Sequence, residues 1–393
     1  MKEQILGLTK QYYNEIVALR RTIHEQPELA FEEKKTSALV AKTLQKTGLK
    51  VETGVAKTGV IGLLRGASSG KCIAIRADMD ALPIVEQTGL SFASKNKGVM
   101  HACGHDSHTA MALGAAMVLS QMKKDLRGSI KFLFQPSEEK APGGASVMVT
   151  EGALKNPDVD AVIGQHVLSQ AEAGTVGFCP GPMMASSDEL YITIQGRGGH
   201  GARPNLTIDP IVVASHVVIA LQTIVSRRTD PFKECVLTIG KFSGGTATNI
   251  IPNEVSLWGT LRAMDENLRA KAHKMIDEVI SGVTQAMGAG YEFRIVQGYP
   301  AVVNDKEITE FASKAAADLL GKKNVFRAEP FMGAEDFAYY LQKAPGTFFR
   351  LGIRDPKAKS VADIHDARFT IDERAMIAGT AALAHIAAEY LNK

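Results

Sequence analysis

The chain has 393 residues, more than one hydrophobic core usually serves, so two domains are the expectation. Hydrophobic residues make up 45% and charged residues 22%, which supplies full cores and excludes a disordered chain. The 45 basic and 42 acidic residues are well mixed, net charge +3, with no dense Lys/Arg stripe, so neither a nucleic-acid nor a membrane partner is expected.

In chain order, Ile5, Leu8, Tyr12, Ile16, Leu19 and Ile23 recur at helical spacing over 3–26. That charged start has no apolar run of the secretory kind. A second amphipathic helix over 32–47 stops at Gly48. The runs GVIGLL (59–64) and KCIAIRADMD (71–80) read as strands, followed by a helix over 106–122 and strands over 129–139 and 160–167. This alternation predicts an α/β catalytic domain with a mainly parallel central sheet flanked by helices. Near 185 the rhythm becomes strand, helix, strand, strand, helix, strand, the pattern of a ferredoxin-like α+β unit. The larger pattern returns after Pro300 with a helix over 306–320, the strand TFFRLGI and a last helix over 372–391. The layout expected is a catalytic domain of residues 1–184 and 297–393, interrupted by a lid or dimerisation domain of residues 185–296. The apolar stretch IVVASHVVIALQTIV (211–225) reads as too short and too polar to span a bilayer. Cys72, Cys103, Cys179 and Cys235 are scattered in unlike contexts and read as cytoplasmic thiols.

The stretch VMHACGHDSHTAM (99–111) crowds His101, Cys103, His105 and His108 together in a chain with only ten histidines and four cysteines. Three predicted strand ends add Asp78 and Asp80, Glu138 and Glu139, and His166. Residues two apart in an extended loop point the same way, so Cys103 and His105 can converge on one ion. Singly, Cys103 reads as a small core residue, His166 as a satisfied core histidine and the two glutamates as a solvated loop edge. Together they place several ligand types at successive loops of one sheet, and thiolate, imidazole and carboxylate suit Zn, Mn, Co or Ni. Adjacent carboxylates permit a division of labour, one binding metal while the other takes a proton from the attacking water. A metal of this kind brings the pKa of such a water to about 7. The chemistry so indicated is hydrolysis, most naturally of an amide.

The motifs RADMDALP (76–83), HACGHDSHTAM (101–111), QPSEE (135–139), GQHV (164–167), GRGGHGARP (196–204), NIIP (249–252), GTLR (259–262), GAEDF (333–337) and IHDARF (364–369) follow one another. In these the chain resembles the N-acyl-amino-acid amidohydrolases. That group includes hippurate hydrolases, plant auxin-conjugate hydrolases and some carboxypeptidases among the aminoacylase-like metallopeptidases. The resemblance implies two divalent metal ions held by Cys103, His105, Glu139, His166 and His365. It implies Glu138 as the general base that later protonates the leaving amine, and His200 as a hydrogen-bond donor to the oxyanion, in its own or a partner subunit. Asn249 and Arg262 are implied to hold the substrate backbone and its free carboxylate, and Asp80 to orient a ligand or the base. A homodimer through the inserted domain is also implied. Two positions depart from the family pattern: Asn205 after GARP, and the acid Asp366 after His365. The expected substrate is an N-acyl-L-amino acid carrying acetyl, benzoyl or a similar group. Carboxypeptidase or dipeptidase action on short peptides is the alternative, and a cysteine hydrolase using Cys103 as nucleophile is a further one.

Overall fold

The buried apolar runs of the sequence become the middle of an eight-stranded sheet. The structure, a computed structural model, describes residues 1–358 and 361–393. It divides into two compact units, one made of Met1–Gly181, Asn304–Glu329 and Asp336–Lys393, the other of Pro182–Val303 and Pro330–Glu335.

In the first unit the strand order is Lys50–Val55, Gly59–Arg65, Arg127–Gln135, Ser68–Asp78, Ala161–Glu172, Gly346–Arg354, Val176–Phe178 and Val325–Arg327. The central four run parallel, and the strands at both edges join them antiparallel, Gly59–Arg65 at one and Val176–Phe178 at the other. The sheet is thus mixed: helical crossovers return the chain parallel, whereas the three-residue connection between Val55 and Gly59 can only make an antiparallel hairpin. Helices Lys2–His24, His105–Gln121 and Ala375–Asn392 pack on one another. Residues 105–119 of the middle one are all buried, so its apolar character is continuous rather than one-sided.

Three strand ends differ from the sequence reading. The strands stop at Asp78 and Gln135, so Asp80, Glu138 and Glu139 stand in the loops beyond. Pro136 has no N–H to continue the ladder, which explains the second. His166 lies inside its strand, which runs on to Glu172. Pairing with the Ser68–Asp78 strand, however, ends at Arg76 opposite Gly164, so one side of His166 is released from the sheet.

The second unit has strands Asp188–Gln195, Cys235–Ser243, Glu254–Ala263 and Gly290–Gln297, with helices Pro210–Thr223 and Glu266–Ala286. The first strand lies between the last two, and all pairings are antiparallel, the split βαβ order. Both helices are announced by aspartates whose carboxylates accept N–H bonds, Asp209 from Ile211 and Asp265 from Leu268. This unit begins three residues before, and ends seven after, the 185–296 read from sequence, and it takes in Pro330–Glu335. The extra segment attaches through backbone bonds from Ala185 to Gly333 and from Phe331 to Met183. The helical stretch Pro210–Arg228 is, by length and composition, long and apolar enough to cross a membrane, contrary to the sequence reading. Here Val213, Ala214, Val217, Leu221 and Ile224 fill the core under the four-stranded sheet.

Candidate metal centre

The cysteine and histidine of the 99–111 stretch converge because the backbone turns between them. Gly104 adopts φ +83°, and a Cβ there would stand 2.7 Å from Val167 Cγ2. The loop is therefore a left-handed turn rather than an extended segment, and it delivers Cys103 from the loop and His105 from the first turn of the helix. The donor atoms of Cys103, His105 and His166 lie within 4.8 Å of one another, as do those of Cys103, Glu139 and His365. A third such group joins His105 with Glu138 and Glu139. All five expected ligands and the expected base thus meet in one unit, and Cys103 belongs to both ligand triads.

Hydrogen bonding sets the imidazole tautomers. His105 Nδ1 donates to the Asp80 carbonyl at 2.9 Å and His166 Nδ1 to the Val167 carbonyl at 2.8 Å, which leaves each Nε2 as a lone-pair donor. His105 Nε2 is buried and has no hydrogen-bond partner among the described residues, and Glu139 Oε1 lies 3.2 Å from His365 Nε2. Desolvated donors of this kind, with a thiol sulfur 3.4 Å from His166 Nε2, fit divalent cations. Burial pushes the Cys103 thiol up, with Glu139 adding to it. His365 is held up to about 10 by its bonds to Cys103 and Glu139. The set is therefore rich in acids that lack a permanent cation, the situation a metal pair resolves.

A surrounding layer holds these ligands. Asp80 accepts from the Glu138 and Glu139 amides, one on each oxygen, both at 2.9 Å. Both Asp80 oxygens are thus occupied by the loop amides. Asp78 Oδ1 takes His108 Nδ1 at 2.7 Å, and His108 Nε2 accepts from the Val167 amide at 3.0 Å. Burial would push the Asp78 carboxyl up, but His105, His108 and Arg76 hold it well below its ordinary range. Arg76, also buried, bonds Asp78, Gln135 and Asp336. His101 is buried, with neither ring nitrogen bonded among the described residues, and burial pulls it down to about 4. Sequence reasoning missed Glu33, Arg20 and His24, whose isolated positions carry no motif, and it gave no role to Asp336, although that residue lies in the GAEDF motif. A cavity of about 850 Å³ in this unit lies against Arg20, Phe92, Asp363 and Arg374. None of the five ligands nor Glu138 lines it.

The other expected residues belong to the second unit. His200 is exposed on the short ribbon that pairs it with Ile250, next to Asn249, whose carbonyl accepts from the Gly201 amide at 2.8 Å. Arg262 lies on the strand Glu254–Ala263 in a depression of about 440 Å³ with Tyr191, Trp258 and Thr260. Burial lowers its pKa, and among the described residues no ion pair forms with it.

A "Thermostable carboxypeptidase 1" of Saccharolobus solfataricus is 41% identical over 100% of this chain and 99% of its own length. An "N-acyl-L-amino acid amidohydrolase" of Geobacillus stearothermophilus is 48% identical over 78% of this chain and 82% of its own. The crystal structure of Bacillus subtilis YXEP, described as a dinuclear metal-binding peptidase, superposes with a TM-score of 0.85 at 36% identity over 98% of this chain and 99% of that one. The sequence profile of peptidase family M20/M25/M40 matches residues 74–389. The chain belongs to that family and is a metal-dependent hydrolase of amide bonds.

Proposed function

We propose that this enzyme cleaves the amide bond of N-acyl-L-amino acids, releasing a carboxylic acid and a free amino acid. Cys103, His105 and His166 would hold one ion, and Cys103, Glu139 and His365 the other. When bound, the ions acidify water and polarise the scissile carbonyl. Glu138 takes the proton of the attacking water and returns it to the leaving amine. The observation that carries this reading is the pinning of the Glu138 and Glu139 amides by one carboxylate, Asp80, which fixes a proton carrier beside a metal ligand. His200 donates to the oxyanion and Asn249 to the substrate backbone. Arg262 grips the free carboxylate, supported by its half-buried guanidinium, which forms no ion pair among the described residues.

Cleavage of short peptides from the carboxyl end is the second reading, favoured by the full-length match to a carboxypeptidase. A Cys103 nucleophile is disfavoured: a reactive thiol has a lowered pKa, and burial raises this one. The deciding assay is hydrolysis of N-acetyl, N-benzoyl and N-indoleacetyl amino acids and of dipeptides, after chelation and after add-back of Zn, Mn, Co or Ni. Metal-restored cleavage of an acyl amino acid supports the proposal, and chelator-resistant cleavage refutes it. Glu138→Gln reduces turnover to a small residual rate with metals retained.

The reading includes a homodimer. Exposed Val212 and Ile219 on the helix Pro210–Thr223 and exposed Val236 and Phe242 on the edge strand Cys235–Ser243 support an interface on the second unit. Sedimentation equilibrium tests it. A cytoplasmic location is supported by the four cysteines, all free and buried.

A further inference from the structure

Glu33, just before the helix Lys34–Lys46, is fully buried and far in sequence from every motif of the site. Its Oε1 accepts from the amides of Phe31 and Ser137, both at 2.9 Å, and its Oε2 from the Thr58 hydroxyl. Each donor lies in or directly after left-handed backbone: Phe31 at φ 63°, Ser137 at φ 52°, and Thr58 after Ala56 and Lys57 at 49° and 74°. Non-glycine residues hold that region only where their surroundings fix them. Ser137 is the residue before Glu138, and the next two amides go to Asp80. Three consecutive N–H groups, 137 to 139, are therefore clamped by two carboxylates from separate chain segments. Asp80 also touches the ligand His105, whereas the bonds of Glu33 go to none of the five ligands. Burial pushes the Glu33 carboxyl up to about 7, so its length and its acceptor atoms matter more than a fixed charge.

We propose that Glu33 is a positioning residue for Glu138: by holding the Ser137 amide it fixes the backbone entering Glu138 and with it the place of the proton-carrying carboxylate. This rests on the reading of Glu138 as general base.

The test uses the metal-loaded enzyme and its fastest substrate from the N-acyl panel, measuring kcat, KM and bound metal for Glu33→Asp, Glu33→Gln and Glu33→Ala. Glu33→Asp withdraws the carboxylate by one methylene, and kcat falls on the order of tenfold to a hundredfold with KM and metal content unchanged. Glu33→Gln keeps the length and an acceptor for Ser137, and retains kcat to within about threefold. In a Glu138→Gln background Glu33→Asp lowers the residual kcat no further, because no proton carrier is left to misplace. Parental kcat in Glu33→Asp and Glu33→Ala, a loss that follows metal content or KM, a loss that adds fully to Glu138→Gln, or failure of all three variants to fold overturns the proposal. Near-parental kcat in Glu138→Gln itself overturns the general-base reading, separately from any result at Glu33.

Discussion

Gly104→Ala separates the backbone that builds the metal centre from the ligands themselves. An L-residue at φ +83° costs roughly 1–2 kcal/mol. The new Cβ also meets Val167 Cγ2 at 2.7 Å. Val167 cannot easily withdraw, because it is buried and its amide is bonded to His108. Overpacking of this kind costs about 1–3 kcal/mol, for a total of about 2–5 kcal/mol. Urea unfolding of the metal-free protein measures the stability loss, and chelator competition measures metal affinity. Both should fall, since the strained residue lies between two ligands. Val167→Ala removes the overlap but not the φ penalty, so adding Gly104→Ala to it should cost only about 1–2 kcal/mol. An equal cost with and without Val167, or no cost at all, refutes the reasoning.

Burial pulls His24 down, but its bonds to Asp106 and Glu86 outweigh this and hold it up to about 9. A folded pKa raised above the ordinary value gives stability that is full below pH 6.5 and is lost as pH climbs through about 9, on the order of 3 kcal/mol. The urea midpoint should therefore drop between about pH 6 and pH 9.5, and His24→Gln should flatten that drop; an unchanged drop places its source elsewhere. Asp80→Ala strips the acceptor from two buried amides at about 1–3 kcal/mol each, and should lower kcat on the order of a hundredfold; parental kcat removes Asp80 from the clamp. Asp188→Ala leaves buried Arg269 with only the exposed carboxylate of Glu266 and removes the acceptor of His273, and should cost about 3–5 kcal/mol. Hydrogen exchange should quicken across the second unit with bound metal unchanged, and exchange unaltered there would refute the assignment.

Most elements were legible in the sequence because their signals are local. Helical spacing from Ile5 to Ile23, the continuous apolar strand ending at Asp78 and the βαββαβ rhythm each depend on a short window. Ligand types clustered in one stretch and near expected strand ends likewise singled out Cys103, His105, Glu138, Glu139 and His166, while His365 needed a family resemblance because nothing local marks it. Tertiary structure alone decided the rest. Strand order, not spacing, brings Arg76 to Asp336 across 260 positions, and an early end to one ladder frees the side of His166. Gly104 shows its purpose only once Val167 stands against it, and Glu33 only once Ser137 turns its amide inward. The periodicity of side chains along an element is written in neighbouring residues, but the meeting of side chains from different elements is set by register and packing over the whole chain.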